Sequence, residues 1–271
     1  MRRGFVLVAV LWILVAVTTL TAASMLVTRG AVSASRNRVS LARARWMAEG
    51  CAAAVRAIVA TELATDDSTG VHIPRWRTLD DVVHEHSSAP LPCDVRLSPV
   101  GVRLNVNAAD ATQLRRVFGA LGVSGPSADS LTAAMLAWRG RLSDAKQLRL
   151  EPRLESVFTG EPGRVVLDRA VPEVLAALPA FDAEAIARTL ERRARGLHTD
   201  ISTLAGALSA AARDSILVHT AELQRLTTSE PDAWILETRA RAGWPPVEAT
   251  LELRLVRGAG RGAIVRRRSW P

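Results

Sequence analysis

From Phe5 to Val27 the chain runs 23 residues without a charge, and this run constrains the fold more than any other stretch. As a helix rising about 1.5 Å per residue it spans roughly 34 Å, enough to cross a bilayer core of about 30 Å. Only Arg2, Arg3 and Gly4 separate it from Met1. A secretory signal has a shorter apolar region, about 7 to 15 residues, ending in a small-residue cleavage site. Thr21 to Ser24 (TAAS) imitates such a site, but the run continues through Met25, Leu26 and Val27. A retained membrane anchor is expected, with signal cleavage as the alternative.

The helical pattern continues past the anchor. Residues 31–64 contain no proline, are rich in alanine and arginine, and place Val39, Trp46, Met47, Cys51, Val55, Ile58 and Val59 near 3.6-residue spacing. One helix from about Phe5 to Leu63 is predicted, its first half in lipid and its second laying that stripe on a soluble domain. A break near Gly30 is the alternative. Residues 65–92, with TDDSTG, Pro74 and HEHSSAPLP, read mainly as loop. Val95 and Leu97, then Val102, Leu104 and Val106 beyond SPVG, predict a β-hairpin.

From Ala108 to about Leu226 the pattern predicts helices near 109–120, 128–139, 143–149, 172–178, 183–195, 201–212 and 214–226. Two stretches repeat at an offset of 61: Asn107 against Asp168, Ala109 against Ala170, Leu114 against Leu175. Each sets a polar side chain suited to an Asx turn before a helix. Pro172 suits a first helical turn. A second helix follows each, with Ser127 and Asp182 as N-caps and Gly140 and Gly196 as stops. In the tail, Leu251, Leu253 and Leu255 alternate with Glu252, Arg254 and Val256, and AGWPP and RGAGRG supply turns. A half-buried antiparallel meander is predicted, with the long N-terminal helix on its apolar face.

Few chemical functions suit this chain. There is no HExxH, GxSxG, Walker loop or strand-to-helix GxGxxG, so no catalytic, cofactor-binding or metal-binding residue is assigned and no enzyme is predicted. His84 and His86 would share one side of a strand, but no third or fourth ligand accompanies them. The two cysteines, Cys51 and Cys93, lack metal-ligand spacing; a disulfide and two buried thiols both remain open. The net charge of +8, nearly all from arginine, permits nucleic-acid binding without requiring it. The repeats resemble helix-hairpin-helix modules, which hold DNA phosphates on backbone amides in glycine-rich turns. Here the second turn, LPAFDAEA, has no glycine and the first, LGVSGPSADS, is interrupted by Pro126. A packing role is therefore expected.

The opening RRGFVLVAVLW resembles a type IV prepilin signal. That resemblance implies cutting between Gly4 and Phe5 by a prepilin peptidase on the cytoplasmic face, with methylation of the new amino terminus. The start without a glutamate at the fifth mature position (Ala9), VRLNVNAADATQLRRVF, VVLDRAVPEVLAALP and the arginine-rich last strand are similar to the general secretion pathway protein K family, the large minor pseudopilins of type II secretion. Asp168–Arg169 and LPAFD depart from the family's usual Asn-Thr and Pro-Gly. Some members bind calcium, but no matching acidic cluster is found and no metal site is carried over.

The resemblance implies an α+β pilin-like fold: a long N-terminal helix packed on an antiparallel sheet, with a large inserted all-helical domain containing two helix-hairpin-helix-like repeats. The implied organisation is a leader at 1–4, a transmembrane segment at 5–27, the helix continuing over 28–64, loop and first hairpin at 65–107, inserted helical domain at 108–228 and C-terminal strands at 229–271. It further implies a non-enzymatic, single-pass inner-membrane protein with a periplasmic body, at the pseudopilus tip. Its partners would be other minor pseudopilins, the major pseudopilin and the peptidase, with no cofactor and no nucleic acid. A type IV pilus minor pilin and a membrane-tethered DNA-binding protein are the alternatives. Charge counting opposes this topology, because two arginines precede the span while Arg29, Arg36, Arg38, Arg43 and Arg45 follow it.

Overall fold

A computed structural model describes residues 2–66, 75–86, 92–139, 152–258 and 263–269. Helix α1 runs unbroken from Arg2 to Asp66, about 97 Å at 1.5 Å per residue. Proline is absent from it, and a single glycine costs a helix only about 1 kcal/mol, so Gly30 does not break it.

The upper part of α1 lies on a sheet formed by β1 (Asp94–Pro99), β6 (Ala233–Ala242), β7 (Val247–Arg257) and β8 (Ala263–Ser269). The strand order is β1-β6-β7-β8, with every neighbouring pair antiparallel. The buried stripe of α1 is Ala44, Ala48, Cys51, Ala52, Val55, Val59 and Leu63. It shares a core with Trp234, Leu236 and Ala240 of β6 and Leu251, Leu253 and Leu255 of β7. Small side chains let helix and sheet approach closely: buried Thr238 donates its hydroxyl to the carbonyl of Ala48 at 3.0 Å. The stripe differs from the predicted one. Trp46 is 74% exposed and Val39 52%, because two residues turn a helix by about 200°, which points Trp46 away from the face of Ala44 and Ala48.

The β6–β7 turn touches α1 as well. Gly243 has φ +86, and a Cβ there would stand 2.0 Å from Ser40 Oγ. Only glycine fits.

Two sequence expectations fail beside this sheet. Residues 79–86 are helical, not loop: α2 (Leu79–His86) has Asp80 and Asp81 in its first turn, and buries Leu79, Val82 and Val83. The predicted hairpin is also absent. β1 pairs with β6, Leu97 opposite Leu236, whereas β2 (Leu104–Asn105) pairs in parallel with β3 (Phe158–Thr159). The chain is diverted at Gly101, whose φ is +95 and whose Cβ would meet the Arg164 carbonyl oxygen at 2.0 Å. The alternation of Val102, Leu104 and Val106 serves a different sheet from that of Val95 and Leu97.

Between Pro99 and Ala233 the chain builds two copies of one unit. The first is β2, α3 (Ala111–Ala120), α4 (Pro126–Trp138), α5 (Pro152–Glu155) and β3. The second is β4 (Val165–Val166), α6 (Pro172–Ala176), α7 (Ala183–Ala194), α8 (Ile201–Gly206), α9 (Ala210–Val218), α10 (Thr220–Leu226) and β5 (Thr227–Thr228), with β4 and β5 parallel. The offset of 61 holds in three dimensions. Ala109 N–H bonds to Asn105 O at 2.9 Å, and Ala170 N–H to Val166 O at 2.8 Å. Val106 N–H reaches Thr159 O, and Leu167 N–H reaches Thr228 O. Each closing threonine then accepts from the N–H two residues on, Thr159 from Glu161 and Thr228 from Glu230. Both copies share one core, in which Leu114, Phe118, Phe158, Leu175, Leu204, Ile216 and Leu223 are fully buried.

Helix ends within the insert correct three further details. The N-cap of α4 is Gly125, at φ 62, with Pro126 at its first turn, not Ser127. The predicted helices 201–212 and 214–226 are instead α8, α9 and α10. Asp200 and Thr203 close a capping box that starts α8, while the Ser209 N–H and hydroxyl bond the Glu184 carboxylate at 2.8 and 2.7 Å. That tertiary contact holds the α8–α9 link out of helix. Asp182 caps α7 through the Ala185 N–H at 2.8 Å, as expected. The predicted helix 143–149 and Gly140 lie outside the described residues.

Candidate membrane anchor and assembly surface

Among the described residues, none buries the side chains of α1 between Val10 and Val27. Every described side chain from Val10 to Val27 is exposed, Trp12 by 69%, and its most apolar 18-residue window has a mean hydropathy of 2.2. Water would not tolerate such a face, and lipid would. The hydroxyls on it are satisfied within the helix: Thr18 donates to Leu14 O at 2.9 Å, Thr21 to Val17 O at 2.7 Å and Thr28 to Ser24 O at 2.8 Å. Such internal pairing lowers the cost of placing them in hydrocarbon. Gly4, Phe5 and Ala9 lie in the first turns of α1; their side chains are outside the described residues.

The structure joins Cys51 of α1 to Cys93 just before β1 by a disulfide, with Cα atoms 6.7 Å apart. Among the described residues no group of three or more His, Cys, Asp or Glu side chains could hold a metal ion. His84 lies exposed on α2, a helix rather than a strand, and the His86 side chain is outside the described residues.

The insert meets the sheet at a charged neck. Val100 N–H bonds Ala233 O at 2.9 Å, where the chain leaves and rejoins the sheet. Beside it the Asp232 carboxylate accepts from the Arg164 backbone N–H at 2.8 Å and from its guanidinium at 2.6 Å. Burial raises the Asp232 pKa, yet the hydrogen bonds and charge of Arg164 overcome this and hold it below the usual carboxylate range. The ends of the two units are tied to β7 in the same manner, Glu161 to Arg254 at 2.8 Å and Glu230 to Arg257 at 3.2 Å. Arg169 pairs with Asp80 of α2 and lies over the Trp234 ring, 5.4 Å from its centroid. Trp234 and Trp76 complete the joint, their indole N–H groups donating to Trp76 O and Pro231 O at 2.9 and 2.7 Å. Sequence reading missed this joint, since its members lie up to 158 residues apart; the Asp-Asp opening of α2 was the one local signal.

The two units are also bonded to each other. Arg116 of α3 donates to Leu178 O at 3.2 Å, binding the first unit to the end of the second unit's opening helix. In the second turn Ala180 occupies φ 61, a left-handed conformation that favours glycine.

A long, partly exposed helix on an antiparallel sheet, interrupted by a helical insert, is a pilin-like architecture. This fold is shared by a chain in the crystal structure of the GspK-GspI-GspJ complex from the enterotoxigenic Escherichia coli type 2 secretion system. The likeness covers 86% of this chain and 99% of that one, with a TM-score of 0.55 and 13% sequence identity. No protein-family model and no curated protein sequence matches the chain.

Proposed function

We propose that this protein is a minor pseudopilin of a type II secretion system. On this reading it is anchored in the inner membrane by α1, with sheet and insert in the periplasm. The observation that carries it is the division of α1: from Val10 to Val27 its side chains are exposed and mostly apolar, with hydroxyls bonded within the helix, while its upper half is the spine of a pilin-like sheet. The fold shared with the GspK-GspI-GspJ crystal structure supports it. The role is structural, without catalysis.

On this reading a prepilin peptidase cuts between Gly4 and Phe5 and methylates Phe5. A carboxylate within a bilayer costs roughly 2.5–3.5 kcal/mol, and one at the fifth mature position would neutralise the amino terminus of the subunit above. Ala9 there removes both the cost and the need, which suits a subunit with nothing above it. The protein would therefore sit at the pseudopilus tip and help initiate assembly with other minor pseudopilins and the major pseudopilin. Intact-mass measurement of the native protein tests the reading: the chain should begin at methylated Phe5, and Gly4→Leu should leave the leader attached. A native chain beginning at Met1 or near Ser24 would overturn it.

A further inference from the structure

The two units of the insert differ in what stands beside their paired strands. By strand pairing, Phe158 and Thr159 of the first unit match Thr227 and Thr228 of the second, and Gly160 matches Ser229. Phe158 is fully buried in the core. The second unit thus has hydroxyls where the first has an aromatic ring and a hydrogen, and a cleft of about 310 Å³ lies against them. That volume suits a small molecule.

Two buried side chains, Leu167 and Ile201, line the cleft with carbon. Asp200, Ser202, Gln224, Ser229 and Arg164 add polar groups with bonding capacity to spare. Asp200 Oδ1 accepts from the Thr203 N–H at 2.8 Å and the Ser202 hydroxyl at 2.7 Å, and no described residue bonds its Oδ2. Burial raises the Asp200 pKa, but the hydrogen bonds from Thr203 and Ser202 overcome this and hold it below the usual carboxylate range. It is therefore an acceptor only. Arg164 directs Nε and Nη2 at Asp232, and no described residue accepts from its Nη1. Nor does any bond the Gln224 amide or the Ser229 hydroxyl.

This mixture discriminates among ligands. An anion would face Asp200, and the charge of Arg164 is already matched by Asp232. A metal ion would face Arg164, and among the described residues no group of three His, Cys, Asp or Glu side chains could hold one. A wholly apolar molecule would strip water from the polar groups and give nothing back. The remaining class is neutral, donates and accepts through several closely spaced groups, and has an apolar face. A sugar ring meets each condition, since its hydroxyls both donate and accept while its C–H face is carbon. Arg164 to Leu167 covers roughly 10 Å of extended chain at about 3.3 Å per residue, room for a sugar of one or two rings.

We propose that this cleft binds a neutral saccharide, its C–H face on Leu167 and Ile201 and its hydroxyls on Asp200, Ser202, Gln224, Ser229 and the outer nitrogen of Arg164.

The test uses the full chain in zwitterionic nanodiscs and three neutral disaccharides, cellobiose, maltose and diacetylchitobiose, followed by saturation-transfer NMR. At least one should bind saturably. Asp200→Asn with Gln224→Ala should weaken that binding at least tenfold, while Arg115→Gln in the first unit should leave it unchanged. Asparagine caps a helix as well as aspartate does and Gln224 is exposed, so thermal melts should not move. The hexasaccharide of the sugar that binds separates two sources: a gain of tenfold or more marks a glycan chain, equal affinity a free sugar, and either upholds the site. Saturable binding of none of the three, binding untouched by the double variant, or displacement of the sugar by equimolar inorganic phosphate or glycylglycine would overturn the proposal.

Discussion

The two units of the insert share a backbone and differ in how their turns are made. In the first, the link between α3 and α4 uses Gly122 at φ +81 and Gly125 at φ +62. In the second, the link between α6 and α7 contains no glycine, and Ala180 takes the left-handed conformation. The turn after the opening strand also differs. Asn105 Oδ1 accepts from the Asn107 N–H at 2.9 Å in the first, whereas Asp168 in the second accepts from the Thr199 N–H at 2.9 Å and meets His198 Nδ1 at 2.6 Å. What stays constant is an apolar anchor and a guanidinium. Leu114 and Leu175 are equally buried, and Arg139 and Arg193 both donate to the carbonyl that follows the strand, that of Ala109 or Ala170. A two-residue strand leaves carbonyls that a longer ladder would pair, so the arginine replaces part of a sheet.

This equivalence can be broken most severely at the leucines. Leu114→Ala and Leu175→Ala should each destabilise the protein by about 3 kcal/mol, within the range for buried leucine truncation, as measured by urea unfolding. A loss under about 1 kcal/mol at either site would end the claim that the units share one packing plan. The arginines should separate the copies more finely. Arg193 is the more buried, and burial lowers its pKa while Asp168 opposes that shift. Arg193→Met should cost about 2 kcal/mol and Arg139→Met about 1 kcal/mol, on the scale of hydrogen bonds from charged donors. Equal losses would mean that burial does not grade these contacts. The smallest effect is reciprocal: Ala180→Gly should gain about 0.5 kcal/mol and Gly122→Ala should lose about 1 kcal/mol, because only glycine occupies a left-handed turn without steric penalty. Thermal melting resolves both, and a loss from Ala180→Gly would show that its methyl contributes more than its backbone costs.

Much of the architecture was legible wherever a pattern is local. The 23-residue run, the proline-free helix, the alternation of Leu251 to Leu255 and the 61-residue offset all follow from periods that a single element imposes. Expectations failed where distant contacts decide. The pattern from Val95 to Val106 is a correct strand signal, but strand alternation does not name a partner, and β1 found β6 while β2 found β3. Trp46 was misassigned because a large apolar residue draws attention over the alanines that actually face the sheet. The α8–α9 link depends on Glu184, 25 residues away from Ser209. As for the candidate site, the apolar run was plain in the sequence, while the charged neck became legible only once Asp232 and Arg164, 68 residues apart, were brought together.

The place where the insert joins the sheet has a mechanical consequence. Its two ends are a single hydrogen bond apart, from Val100 to Ala233. A pull directed along α1 passes into the sheet through the helix contacts and the Cys51–Cys93 bond, which also shunts the segment between those residues. The insert lies in parallel with that path and not in series, so tension stretches neither of its units. A chain wired in this way can carry a large helical body while its stem is pushed or dragged, and the body stays folded because little of that force runs through it.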